Sequence, residues 1–522
     1  GPRGMVNPEA ADIGGAVIIA VILAGICRNR GWSSAIPLIL AGIAVGLAPF
    51  GPQGPADPEF VLVVILAPLV FGEALTSSIV DLRRVRRPVL VLAVGLVVVG
   101  ALAVGAVAQW VVPGIWTSMA FALGAILGPT DAVAVSATAR KAGLPRRLVN
   151  ILEGESLVND GTALTLLRVF SLSAAAGSVT AAQGTLILVT SVLGGLLVGA
   201  AGGLLLISVV RRARDTTVAN GLILVAPLPL YVGAEALEGS GILAVVLAAL
   251  IVAHGSSNAV AYTGRLQATG LWMTITFILQ SAAFFLVGLE MPRVLDALPS
   301  DQIPTLTVAI PVVFVTLVMI RFAFVFLMAL VSGQLSENRG WLVAAWAGTR
   351  GPISALAAFT VPVATDAGDR IPYRELVISI TFGVVIISLL LAPSIAWLAR
   401  AVHLPKDDDV ATERRVHLAL ARAALNRLEE IEQESERRDA PLPASVLGPL
   451  RARAQQRLER ASASSKHAAA ARHPTGAREL AAEMMRSEQE ELLRLRDSEG
   501  LPDEIVRQMQ HEIDVRIRAL GT

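Results

Sequence analysis

The chain has 522 residues, of which 54% are hydrophobic and only 16% are charged, and its net charge is +1. Long apolar runs alternate with short polar joints up to about residue 400, and an Arg/Glu/Ala-rich tail follows from about residue 403. This segregation of charge excludes a soluble enzyme and predicts an all-α polytopic membrane protein with a soluble tail. The balance of charge does not indicate a nucleic-acid partner. The single cysteine, Cys27, excludes an internal disulfide and a cysteine-based metal site.

The chain is predicted to contain three regions. Residues 1–11 form an extracellular N-terminus that includes a tag remnant, GPRGM; residues 12–402 form the transmembrane domain; residues 403–522 form a helical cytoplasmic tail. A membrane-spanning helix needs about 20 apolar residues, and runs of roughly 15–30 residues predict thirteen spans. The predicted spans are 12–28, 33–49, 59–79, 88–111, 116–139, 148–172, 184–210, 217–235, 240–254, 267–290, 303–331, 340–363 and 372–400.

The joints between spans predict the orientation in the membrane. The joints after odd-numbered spans hold fifteen Lys and Arg residues, and the joints after even-numbered spans hold three. The joints after spans three and five are the most basic, with four residues each. Because basic residues concentrate on the cytoplasmic side, the odd-numbered joints and the tail are predicted to be cytoplasmic and the N-terminus to be outside.

Spans five and twelve are interrupted in the same way. Span five contains "GAILGPTDAVAVSA" and span twelve contains "AWAGTRGPISALAA", so each places Gly, Thr, a charge and Pro near mid-membrane. Pro129 and Pro352 each leave a helical carbonyl without its partner. Interrupted helices at corresponding positions predict two inverted six-span repeats, spans one to six and eight to thirteen, with span seven as linker. Two proline kinks that serve packing are the alternative.

Span six, "LEGESLVNDGTALTLL", carries three carboxylates within eight residues. A charge at the bilayer centre costs on the order of 3 kcal/mol even by the lower estimates, so packing alone does not account for them. Ser156 and Asp160 share one helical face, and Glu155 and Asn159 share another. Glu153 has the alternative of a position near the cytoplasmic end, paired with a nearby arginine.

Asp131 and Asp160 are the candidate carriers of this chemistry. With Thr130 and Ser156 they provide an all-oxygen site that suits a hard monovalent cation and lacks the His or Cys expected for zinc or copper. Desolvation favours the protonated form of a buried carboxyl group, so the same group can hold a proton or a metal ion. This competition is sufficient for a mechanism of exchange.

The motifs "GPTDAVAVSA" and "EGESLVNDGTALTLL" resemble those of the monovalent cation/proton antiporters, in the branch of the bacterial sodium/proton antiporters and the animal sodium/proton exchangers. The resemblance covers residues 12–400. It implies a homodimer in the cell membrane that exchanges Na⁺, and Li⁺ as well, for H⁺ without a cofactor and serves pH homeostasis. The end of the tail also resembles actinobacterial-type members.

The resemblance also implies roles for single residues. Asp160 is the main carrier of Na⁺ and H⁺, Asp131, Thr130 and Ser156 complete the cation site, and Asn159 supports it. The pair Asn159–Asp160, in place of Asp-Asp, implies electroneutral one-for-one exchange. Glu155 is expected to form a buried ion pair with an arginine, for which Arg321 is the best match. Arg350 matches the arginine of the second interrupted helix. Gln280 and Glu290 are weaker candidates, and Glu290 is expected to be a rim charge.

Several alternatives stay open at this point. Potassium/proton exchange is the nearest, since sequence does not give the size of the cation site. A cation channel is the alternative from another class, although two interruptions with opposite charges fit alternating access better. Arg321 has the alternative of reaching the membrane interface. The amphipathic tail is expected to be a solvated helical cap, with a specific sensor as the alternative.

Overall fold

The computed structural model describes residues 8–48, 61–77, 79–131, 144–177, 180–213, 215–259, 262–333, 339–404 and parts of 418–462. The chain divides into two units, Gly1–Lys406 and Asp407–Thr522. The described part of the first unit is helical. Its residues form no β-strand beyond an isolated pairing of Ala364 with Arg370.

The helices of the first unit follow the apolar runs of the sequence. They are α1 (Pro8–Asn29), α2 (Ala35–Gly46), α3 (Ala67–Thr76, preceded by a π-helical stretch Val61–Leu66), α4 (Ile79–Arg84), α5 (Arg86–Val111), α6 (Thr117–Ile126), α7 (Arg146–Ala175), α8 (Ala181–Arg212), α9 (Thr216–Ala236), α10 (Gly241–Ala259), α11 (Tyr262–Asp296), α12 (Ile303–Val331), α13 (Gly340–Trp346), α14 (Pro352–Phe359), α15 (Arg374–Leu391) and α16 (Ser394–Ala401).

Within the described residues, six helical stretches are long and apolar enough to cross a membrane, and five shorter helices are also apolar. The 30-residue helix α7 is not among them, because its carboxylates and arginines interrupt the apolar pattern. The prediction of an all-helical membrane domain is confirmed. The count of thirteen crossings and the two inverted repeats stay predictions.

Close helix packing depends on glycine. On α8, Gly195, Gly199 and Gly203 recur every four residues. A Cβ atom on Gly195 would come within 2.6 Å of the backbone oxygen of Ser240, just before α10, and one on Gly199 within 2.6 Å of that of Ala244 on α10. The helices α2 and α11 approach each other in the same way through Gly42 and Gly288. Such small-residue contacts let helices associate in lipid, where the hydrophobic effect gives no force between them.

The candidate site lies where α7 packs between two groups of helices. The first group of helices packs around the two interrupted segments and consists of α5, α6, α7, α12 and α15. Helix α7 also contacts α3 and α10, which belong to the second group. Side chains on α7 can therefore face both groups.

The second unit is described in part. Its clearest element is the helix Ala444–Ser462, whose Arg451 forms an ion pair with Glu432 of the same unit. Most of the predicted linker and the rest of the tail, residues 463–522, lie outside the described residues.

Candidate cation site

The first interruption follows α6, which ends at Ile126. Residues 127–131, the stretch "LGPTD", are not helical, and Thr130 is buried. Pro129 cannot donate a backbone N–H, so the helical pattern is not continued through it. The second half of predicted span five, residues 132–139, lies outside the described residues.

The second interruption lies between α13 and α14. Residues 347–351 are not helical, and α14 begins at Pro352, which occupies the first helical position where a missing N–H costs nothing. Thr349 and Arg350, within the break, are both buried.

The two interruptions cross each other. The backbone N–H of Asp131 donates a hydrogen bond to the carbonyl of Thr349, at 2.8 Å. Gly351 lies so close to Asp131 that a Cβ atom added there would be 2.8 Å from Oδ2 of the carboxylate. The cross therefore brings non-helical backbone from two separate helices to one place, buried within protein as non-helical backbone in a membrane requires.

Opposite charges stand at opposite ends of the half-helices. The Arg350 side chain donates from Nε to the carbonyl of Leu127, at the end of α6, at 2.7 Å, and it donates from Nη1 to the carbonyl of Gly348, past the end of α13. Asp131 lies at the start of α14. Because a helix is negative at its C-terminus and positive at its N-terminus, each charge lies where the half-helix dipoles stabilise it.

Helix α7 brings its polar residues against the first interruption. Ser156 Oγ donates to the carbonyl of Thr130 at 2.6 Å, and Asn159 Nδ2 donates to Thr130 Oγ1 at 2.8 Å. Thr130 is thus held by two residues one turn apart on α7. Its carbonyl and hydroxyl are both fixed beside Asp160, which follows Asn159 in the chain.

Asp160 has the most unusual environment of these residues. Its side chain is 0% exposed, and neither carboxylate oxygen accepts a hydrogen bond from the described residues. Burial of a polar group without a partner is costly, and burial of an isolated charge is far more so. A bound proton or a bound cation removes that cost.

The four residues predicted to bind the cation, Thr130, Asp131, Ser156 and Asp160, line one cavity, whereas the supporting residues Asn159, Glu155, Arg321 and Arg350 do not line it. Its walls are Leu69, Glu73, Pro129, Thr130, Asp131, Ser156, Asp160, Gln280, Gly351, Pro352 and Ile353. No group of three or more His, Cys, Asp or Glu side chains that could hold a metal ion occurs in the described part of the chain. The cavity offers a cation carboxylate, hydroxyl, backbone and amide oxygens, which is the ligand set of a hard ion.

Glu155 faces away from this cavity and towards Arg321 of α12. Arg321 donates to both carboxylate oxygens of Glu155, at 2.5 and 2.9 Å, and also to the carbonyl of Ala344 at 3.1 Å. Both side chains are almost completely buried, at 3% and 2% exposure. The structure thus pairs Glu155 with Arg321, while Arg350 bonds to backbone carbonyls.

Glu73, on α3, is a cavity residue that lies outside the sequence motifs of spans five and six. It lines the cavity with Asp131 and Asp160, and Gln280 of α11 reaches the same cavity. A signal was present in the sequence, because Glu73 is a single carboxylate in the apolar run "LAPLVFGEALT", and an ionisable residue within a span is by default a functional candidate.

Comparison with known proteins agrees with this geometry. The family model described as "Sodium/hydrogen exchanger, transmembrane" matches residues 16–400. An uncharacterized Na⁺/H⁺ exchanger of Mycobacterium tuberculosis is 29% identical over 425 residues, which cover 78% of this chain and 77% of the relative. A sodium, potassium, lithium and rubidium/H⁺ antiporter of Bacillus pumilus is 29% identical over 428 residues, which cover 77% of this chain and 63% of the relative.

The fold is similar to that of the sodium proton antiporter of Methanocaldococcus jannaschii. The TM-score is 0.62 at 19% sequence identity, and the match covers 76% of this chain and 98% of the solved one. The match to the family model covers nearly the whole membrane unit. The chain therefore belongs to the sodium/hydrogen exchanger family, and the resemblance seen in its sequence is confirmed.

Proposed function

We propose that this protein exchanges Na⁺, and also Li⁺, for H⁺, one ion for one proton, by alternating access. Membership of the sodium/hydrogen exchanger family assigns it to cation/proton antiport. The observation that carries the finer proposal is the state of Asp160, a fully buried carboxylate whose two oxygens accept no hydrogen bond from the described residues.

The chemistry at Asp160 couples the two ions. An ionised carboxylate in this position is destabilised unless a positive charge joins it. A proton on Asp160 and a cation beside it both meet that need, and only one of them fits at a time. Asp131, Thr130 and Ser156 supply the remaining oxygens of the cation site, and Glu73 adds a further carboxylate to the cavity wall.

The surroundings of Asp160 support electroneutral exchange. Asn159 carries no charge, and its amide nitrogen is bound to the Thr130 hydroxyl, so it supports the site without carrying a proton. When one Na⁺ replaces one H⁺ at Asp160, the moving site carries the same charge in both directions. Membrane voltage is then not expected to drive the exchange.

Potassium is the alternative cation. The Bacillus pumilus relative, which is 29% identical to this chain, is named as an antiporter of sodium, potassium, lithium and rubidium. A relative at this level of identity is thus named for four alkali cations. Family membership favours antiport of any of these over a cation channel.

The same proposal includes the setting in the membrane. We expect a homodimer in the cell membrane, embedded in lipid, with the N-terminus outside and the tail in the cytoplasm, and we expect it to serve pH homeostasis. The joints after odd-numbered spans hold fifteen basic residues and those after even-numbered spans hold three, which supports a cytoplasmic position of the odd-numbered joints and the tail.

The experiment measures proton movement in sealed proteoliposomes after addition of Na⁺, Li⁺ or K⁺, with the membrane voltage held at zero or imposed. Wild type is compared with Asp160→Asn and with Asp301→Asn, which removes an exposed carboxylate outside the cavity. Sodium-driven proton movement that is independent of voltage and absent only in Asp160→Asn supports the proposal. If only K⁺ drives proton movement, the transported cation is K⁺ and not Na⁺. Dependence of the rate on voltage would reject one-for-one exchange. Exchange by the Asp160→Asn variant would reject Asp160 as the carrier.

A further inference from the structure

We propose that six arginines at one end of the membrane unit form a binding site for the phosphate headgroups of anionic phospholipids. The site, called here the arginine patch, consists of Arg83, Arg84, Arg86, Arg87, Arg146 and Arg147, and all six side chains are exposed. It lies outside the cation site and does not depend on the proposed function.

Two separate joints contribute to the arginine patch because α5 and α7 run parallel. Val89 of α5 lies where a Cβ atom on Gly154 of α7 would come within 2.8 Å of it. Farther along, Val97 of α5 and Ala163 of α7 both lie against Gly128. Between these two contacts the chain advances eight residues along α5, from Val89 to Val97, and nine residues along α7, from Gly154 to Ala163. The two helices therefore run in the same direction and begin at the same end of the unit.

The register of α5 places its arginines at the level of lipid headgroups. Arg86 and Leu90 are one turn apart, as are Arg87 and Val91. Leu90 and Val91 are 52% and 46% exposed, as large apolar residues facing lipid are, whereas Val89 is buried against α7. The guanidinium groups therefore lie on the lipid-facing side of α5, one turn beyond its exposed apolar surface.

The charge of the arginine patch is only partly balanced by nearby acids in the sequence. The stretches 79–90 and 144–153 contain six arginines and two acids, Asp81 and Glu153, and Asp81 pairs with Arg84 at 3.7 Å. That ion pair is exposed and therefore weak. Arginine binds phosphate through two parallel N–H groups, and clusters of four to eight basic residues next to a membrane span are typical of sites for anionic lipids.

The position of the patch predicts that the lipid stabilises the fold. A headgroup bound here contacts the ends of α4, α5 and α7 together, and α7 carries Ser156 and Asp160. Because binding to the folded state alone raises stability, the anionic lipid is expected to raise the melting temperature.

The test titrates detergent-purified full-length protein with phosphatidylglycerol or with phosphatidylcholine of the same acyl chains. Bound lipid is counted by native mass spectrometry, and melting is followed by tryptophan fluorescence. Wild type is expected to bind phosphatidylglycerol about tenfold more tightly and to be stabilised by it, since each arginine near a surface favours an anionic headgroup about fivefold. Equal binding of the two lipids would overturn the proposal.

Two matched double variants locate the site. R86Q/R87Q is expected to bind phosphatidylglycerol about five- to tenfold more weakly, so that most of the preference over phosphatidylcholine is lost. R211Q/R212Q removes two exposed arginines at the end of α8 and is expected to bind within about twofold of wild type, because those residues lie outside the patch. Equal losses in the two variants would contradict a site at the patch. If R86Q/R87Q does not fold, R87Q alone is used, with an expected loss of about fivefold.

A third arm separates a lipid from a soluble anion. Inorganic phosphate at millimolar concentration replaces the lipid in the melting experiment. The proposal predicts little stabilisation, because free phosphate lacks the acyl chains that contact Leu90 and Val91. Stabilisation equal to that by phosphatidylglycerol would assign the patch to a soluble phosphate compound and overturn the assignment to lipid.

Discussion

Gly351 and Asp131 belong to two different interrupted helices, and they touch so closely that no side chain fits between them. A Cβ atom on Gly351 would lie 2.7 Å from Cβ of Asp131 and 2.8 Å from its Oδ2 atom. The backbone of Gly351 has φ −112°, which any residue can adopt. The requirement for glycine is therefore steric, and it fixes how near the Asp131 carboxylate can come to the start of α14.

The first prediction is that Gly351→Ala lowers the exchange rate by about tenfold. Overpacking a tight site costs about 1–3 kcal/mol, and here the cost is relieved by displacement of the Asp131 carboxylate. Proton movement in proteoliposomes measures the rate. Gly221→Ala is the matched control, because a Cβ atom there meets no atom within 4 Å. Equal rates in wild type and Gly351→Ala would show that the position of Asp131 does not limit exchange.

The second prediction concerns the Glu155–Arg321 ion pair. Removal of one partner leaves a buried charge alone, so Arg321→Gln and Glu155→Gln are each expected to lower the free energy of unfolding by about 3–5 kcal/mol. The double variant is expected to be more stable than either single variant. Unfolding of purified protein, followed by the fluorescence of its seven tryptophans, gives the coupling energy of the double-mutant cycle. Additive losses would mean that the two side chains do not act as a pair.

Most of the fold was predictable from hydropathy, because apolar runs in a membrane chain must become helices. The interruptions were predictable for a related reason, since Pro129 and Pro352 each end a helical pattern within an apolar run. The contacts of Arg321 and Arg350 were not predictable from local patterns, although the family resemblance indicated Arg321 as the partner of Glu155, and the structure shows that pair. Both lie deep in spans, and the choice between them depends on the relative rotation of α12 and α7, which no local pattern records.

Two further residues show the same limit. Glu73 lies close to the end of its span, so its sequence position did not distinguish a cavity residue from an end charge. Glu290 was expected to be a rim charge, but it is 4% exposed and accepts a hydrogen bond from Arg293, one turn later, at 2.8 Å. Glu73 is half-buried and Glu290 is buried, and neither degree of exposure follows from the position of the residue in its span.

The third prediction tests the role of Thr130. Thr130→Val keeps the backbone carbonyl that binds Ser156 but removes the hydroxyl that accepts from Asn159 Nδ2. A buried amide left without its partner costs about 1–3 kcal/mol, so the apparent KM for Na⁺ is expected to rise about tenfold and the melting temperature to fall. Thr130→Ser retains the hydroxyl and is expected to behave like wild type. If both variants bind Na⁺ normally, the hydroxyl does not organise the site.

The fourth prediction tests Glu73 as part of the cavity wall. Glu73→Gln preserves the size of the side chain and removes one of the carboxylates that line the cavity with Asp160. The apparent KM for Na⁺ is expected to rise about tenfold with little change in the maximal rate, because Asp160 still carries the ion and the proton. Asp301→Asn, which removes an exposed carboxylate in the turn just before α12, serves as the control. An unchanged KM in Glu73→Gln would place that residue outside cation binding.

The fifth prediction contrasts a second ion pair with the buried one. Arg168 of α7 meets Glu235 of α9 at 3.0 Å and also donates to the carbonyl of Gly239, but the two side chains of the pair are 23% and 35% exposed. Partly exposed pairs contribute about 0–1 kcal/mol, and salt screens them. The coupling energy of Arg168→Gln with Glu235→Gln is therefore expected to stay below about 1 kcal/mol and to fall as salt rises. Unfolding experiments at low and high NaCl measure it. A large coupling that is independent of salt would mean that this end of α7 is as dry as its centre.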